Sequence, residues 1–164
     1  MTILDFCTWL EATPLALKIT ESEVLFPTIE TVHVLALTLV FGSILMLDVR
    51  LLGWSRRDMG VVQLTREVLP WTWIAFVIAA ISGALMFISA ATKYYGNIPF
   101  RIKMVLLALA GLNMAVFHFK AYRTVAGWDN SLPTPRAARI AAGLSLVLWI
   151  GIVFAGRWVG FVNK

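Results

Sequence analysis

The stretch FPTIETVHVLALTLVFGSILMLDVRLLG, residues 26–53, decides the fold. Between Pro27 and Asp48 its only ionisable side chains are Glu30 and His33. A bilayer core needs roughly 20 apolar residues in one helix, and this run is long enough. Glu30 and His33 are three positions apart, so a helix sets them on one face. Ionisable groups at membrane depth are costly, which makes their residue types informative.

Three more runs of similar length follow, at about 70–92, 99–119 and 136–160. Pro27, Pro70, Pro99 and Pro135 each stand where a run begins. Proline has a helix-like φ and no amide hydrogen, so it suits a first helical turn. Composition agrees with four membrane helices. Hydrophobic residues make up 60% and charged residues 14%, and mean hydropathy is +0.83. A soluble domain is about half apolar and a quarter charged. The connections GWSRRDMGVVQLTREVL, KYYGNI and KAYRTVAGWDNSLPTP are short, so successive helices run antiparallel. The expected fold is all-α: an integral membrane four-helix up-down-up-down bundle over residues 26–164. Residues 1–25 are a separate segment with a short interfacial helix whose apolar side is Ile3, Leu4, Phe6, Cys7, Trp9 and Leu10. That segment lacks the basic start of a signal peptide.

Trp54, Trp71, Trp73, Tyr94, Tyr95, Tyr122, Trp128 and Trp158 sit at run ends, as aromatic belts do, while Trp149 lies mid-run. One face of the bundle collects Arg50, Arg56, Arg57, Arg66, Lys120, Arg123, Arg136 and Arg139. The other has Lys18, Lys93, Arg101, Lys103, Arg157 and Lys164. The richer face belongs in the cytoplasm, which puts both termini on the periplasmic side. The net charge of +5 is spent at helix ends and not on an aromatic-basic stripe, so nucleic acid is excluded as a partner. Cys7 is the sole cysteine and forms no internal disulfide.

Depth sorts the polar residues into two layers. His33 falls about 9 Å from mid-bilayer and His118 about 12 Å on the other side, from a rise of 1.5 Å per residue. These are the only two histidines, and some 20 Å between them prevents both from holding one ion or one haem. The outer layer offers Glu30, His33, Met86, Lys103, Met104 and Arg157; the inner one offers Met46, Asp48, Arg50, His118, Lys120 and Arg123. His and Met are haem axial ligands and copper(I) ligands, Lys and Arg pair with haem propionates, and quinone head groups accept from His and Lys. Glu30 also suits a first helical turn, where the dipole favours a carboxylate. Asp48 suits an ion pair with Arg50, Lys120 or Arg123. Glu30 and His33 match the E-x-x-H spacing of di-iron bundles, yet the second such element is missing. So are the G-x-S-x-G, H-E-x-x-H, phosphate-loop and C-x-x-C patterns, and no catalytic constellation is present.

With FPTIETVHVL, DVRLLG, LPWTW, KYYGNIPFRIKM, AGLNMAVFH and AGRWVGF in view, the whole chain resembles a family of small bacterial four-helix inner-membrane proteins of unknown function. More distantly its plan is similar to copper-resistance D proteins and to b-type cytochrome membrane subunits. That likeness implies a redox cofactor held by in-membrane histidines, although the two histidines here are not a same-depth pair. In a dimer about an axis along the membrane normal, His33 would meet its equivalent at equal depth. The leading expectation is a membrane subunit that binds b-type haem at His33 or His118 and exchanges electrons with a partner subunit or quinone. The alternatives are a copper- or solute-handling protein and a cofactor-free anchor.

Overall fold

The computed structural model describes residues 2–55, 58–130 and 134–162, and those residues are helical with short connections. Arg56, Arg57 and Lys164, counted above for orientation, lie outside them. Two short helices, α1 (Ile3–Glu11) and α2 (Pro14–Glu21), precede the long α3 (Leu25–Leu51) and α4 (Val61–Ser89). A single turn and a half, α5 (Ala91–Gly96), leads into α6 (Ile98–Val116). A π-helical turn over Phe117–Ala121 and a 3-10 turn over Tyr122–Gly127 extend α6, and α7 (Arg136–Val162) closes the chain. Four of these helices are long and apolar enough to cross a membrane: α3, α4, α7 and α6 with its extension to Gly127.

The proline reading holds at three places out of four. Pro27 is in the first turn of α3, Pro99 is in the first turn of α6, and Pro135 immediately precedes α7. Pro70 lies well inside α4, so the expected start there is corrected to Val61. The reason is tertiary. Gly60 has no side chain with which to cap the helix, and Asp129 from the α6–α7 connection does so instead. Its Oδ1 accepts from the Val62 N–H at 2.7 Å and its backbone carbonyl accepts from the Val61 N–H at 3.3 Å. The N-terminal segment contains two helices where one was expected. Thr13 caps a new helix through its side chain and Pro14 occupies the first turn.

The bundle is two antiparallel hairpins, α3 with α4 and α6 with α7, joined along α3 and α7. Helices α4 and α6 make no comparable contact. Small buried residues permit the close approaches: Ala36, Ala75, Ala79, Ala110, Ala138 and Ala142. In lipid such packing, with interhelical hydrogen bonds, holds helices together, since hydrocarbon supplies no hydrophobic drive between them. A central cluster of Val40, Ala75, Ala110, Leu148, Trp149 and Ile152 takes one or more residues from each long helix. A second cluster, with Leu51, Val61, Trp128 and Ala138, closes the end remote from the termini. There α3 terminates at Gly53, whose φ of 77° is the left-handed turn glycine adopts without a Cβ penalty. At the other end Asn97 caps α6 through Phe100 N–H at 2.9 Å and donates from Nδ2 to the Val159 carbonyl at 3.1 Å, tying α6 to α7. Many large apolar side chains on all four spans face outward, where lipid solvates them.

Candidate functional site

His33 enters the bundle from the second turn and a half of α3 and meets α4 at Ser82 and Gly83. Its Nδ1 lies 3.0 Å from Ser82 Oγ. The Ser82 hydroxyl has one hydrogen, which it donates to the Ile78 carbonyl at 2.7 Å, with the Ala79 carbonyl at 3.2 Å. With that hydrogen on the Ile78 carbonyl, the Ser82 oxygen accepts from the imidazole, which is the tautomer protonated on Nδ1. In that neutral tautomer the lone pair is on Nε2. The Cε1 corner of the ring comes up against Gly83. A Cβ at that position would stand 3.0 Å from His33 Cε1, so any side chain there displaces the imidazole.

Lys103 comes from α6 to the same level, half-buried, and its positive charge acts on His33. Its stem and ammonium run along Gly156 of α7, where a Cβ would be 3.6 Å from both Cδ and Nζ. All four long helices thus contribute: His33, Ser82 with Gly83, Lys103 and Gly156. On the terminus side of this level, Phe87 of α4, Tyr94 of α5 and Phe100 of α6 stack together, with centroids 5.3–6.3 Å apart. Burial, and then the negative charge of Glu30, raise the Tyr94 phenol above its ordinary pKa.

The expected outer layer is only partly assembled. His33 and Lys103 come together. Glu30 is exposed in the second turn of α3, and not in the first as expected, and its charge acts on Tyr94. Arg157 is exposed with its guanidinium 5.1 Å from the Phe161 ring centre, and not on Glu30. Met86 is half-buried on α4, while Met104, 49% exposed, points away from the interior. The inner layer does not converge on His118. That histidine is exposed and stacks on Tyr122 at 5.2 Å, beside an exposed Lys120 and Arg123. Met46 is half-buried in the other half of α3, far from His33. Among the described residues no group of three or more His, Cys, Asp or Glu is placed to hold a metal ion.

The Asp48 ion pair is corrected. Asp48 is 5% exposed and hydrogen-bonded to the Ser145 hydroxyl of α7, with Oδ2 unpartnered. Arg50 is wholly buried and donates from Nε to the Met59 carbonyl at 2.7 Å and from Nη2 to the Asp129 carbonyl at 3.1 Å. Side chains two positions apart do not face each other on a helix, which separates the two charges. Gly83, Phe87 and Phe100 carry no one-dimensional mark of a site; their roles come from the neighbours the fold brings to them.

Comparison with curated proteins and with solved structures yields no match. A family profile covers residues 6–162, and the chain belongs to that family, DUF6644, a family of unknown function.

Proposed function

We propose that this multi-pass membrane protein is an electron-transfer subunit that holds b-type haem on His33. The observation that carries the reading is the His33–Ser82 hydrogen bond, which, with Nδ1 as donor, puts the ring's lone pair on Nε2. Metal-ligating histidines characteristically donate their other ring N–H to a protein acceptor, which fixes tautomer and orientation. His33 would be an axial ligand and Lys103 a counter-charge for propionates. Gly83 and Gly156 keep the walls beside them thin. Bound haem supplies one-electron oxidation and reduction. His33 is the one imidazole at this level, so any further protein ligand to the iron would be Met86 or a group from outside the chain, a second copy included.

We place the chain in a bacterial inner membrane; the basic-residue excess at the end remote from the termini supports that end in the cytoplasm and both termini in the periplasm. The test is the absorption spectrum of purified protein, oxidised and dithionite-reduced. The expected result is a Soret band with reduced α and β bands, lost in His33→Ala and kept in His118→Ala. A featureless spectrum, or bands lost with His118 alone, overturns the proposal.

A further inference from the structure

The surroundings of the His33–Lys103 level differ on every side. Toward the membrane centre the Val40, Ala75, Ala110, Leu148, Trp149 and Ile152 cluster closes it. Helices α3 and α7 pack together behind it. Toward the terminus end, Phe87 is one turn past Gly83 on α4, about 6 Å along the axis, and Phe100 is about 4.5 Å before Lys103 on α6. These two rings stack at 5.6 Å and 17°, and Tyr94 packs on both. They bridge the two helices that otherwise do not pack on each other. What remains is the seam between α4 and α6, and it faces hydrocarbon.

We infer that Phe87, Tyr94 and Phe100 form a cap that shuts the His33–Lys103 site off from the aqueous phase and leaves the α4–α6 seam as its entrance. The ligand is then bilayer-borne: a lipophilic molecule bearing an anionic or hydrogen-bond-accepting head group for Lys103. This rests on reading His33 and Lys103 as a ligand site, and it does not require that the ligand be haem. The Tyr94 phenol, held neutral by burial and the adjoining Glu30 charge, suits a ring that lies across a closed mouth.

Lysine acylation from the two phases tests the entrance. Protein in lipid nanodiscs is treated with sulfosuccinimidyl acetate, which stays in water, or with succinimidyl laurate, which dissolves in the bilayer, and the labelled lysines are mapped by mass spectrometry. The exposed Lys18, Lys93 and Lys120 report the aqueous reagent. The expected pattern is Lys103 acylated by the laurate ester and spared by the acetate ester. The same labelling in His33→Ala removes screening by anything ligated at His33. Tyr94→Ala and Phe100→Ala admit the aqueous reagent to Lys103, whereas Tyr94→Phe, which keeps the ring, does not. Two uncapping variants with recorded melting temperatures separate cap loss from misfolding.

Aqueous acylation of wild-type Lys103 as fast as that of Lys120 overturns the cap. So does continued shielding in both uncapping variants. Failure of the laurate ester to reach Lys103 in wild type and in His33→Ala overturns the seam. The absorption spectrum of the same samples reports haem separately, so a featureless spectrum with the expected labelling removes the haem and retains the entrance.

Discussion

Arg50 and Asp129 stand 79 positions apart, and the guanidinium of the first donates to the backbone carbonyl of the second at 3.1 Å. The same Arg50 holds the Met59 carbonyl, and the same Asp129 caps α4. One buried cation therefore joins the end of α3, the α3–α4 connection and the α6–α7 connection. Arg50→Ala removes a charged donor from each of those carbonyls, and bonds to a charged group are worth about 1.5–3 kcal/mol each. A clear fall in melting temperature in detergent is expected; unchanged melting would show that water replaces the guanidinium without loss.

Asp129→Ala removes the cap from Val62. A lost side-chain cap costs about 1 kcal/mol, and Asp129→Asn should recover most of it because the amide oxygen still accepts. A double-mutant cycle with Arg50→Ala should show coupling, since both residues hold the same connection. Strict additivity of the melting shifts would contradict this shared role.

Ser82→Ala deletes the acceptor that orients His33. Loss of such a partner typically weakens metal affinity by 10–100-fold, so if His33 holds haem as proposed, haem retention through dilution should fall while the fold persists. Retention equal to wild type would show that Ser82 does not orient the ring.

Gly83→Ala is expected to be worse than Ser82→Ala for binding. The new methyl would stand 3.0 Å from His33 Cε1 and push the ring off its place, at a cost of about 1–3 kcal/mol for overpacking. Gly111→Ala is the control, because nothing lies within 4 Å of a Cβ there. Equal spectra and equal melting for the two variants would refute the close approach.

At the start of α1, Thr2 and Asp5 cap one another, and the Thr2 N–H and hydroxyl hold the Asp5 carboxyl below its ordinary pKa. A lowered folded value means that the cap contributes above the ordinary carboxylate pKa and is lost as pH falls through the lowered one. Protection of the Asp5 and Phe6 amides, measured against the unstructured exchange rate at the same pH, should fall over that acid window and stay level above it. Asp5→Asn should flatten the dependence.

Four membrane helices were legible in the sequence because each span is a continuous apolar run, and lipid demands that a spanning backbone satisfy its own hydrogen bonds. His33 was legible too, since an imidazole in such a run is costly wherever the neighbours fall. The start of α4 was not: Pro70 looked like a first turn, and the residue that caps Val62 is contributed from beyond α6. Nor could sequence separate His33, held on Ser82 and Gly83, from His118, which stacks on Tyr122 at the surface. Depth along one helix follows from counting residues. Which way a side chain turns, and what it meets there, depends on how the helices pack against each other, and only the tertiary structure decided that.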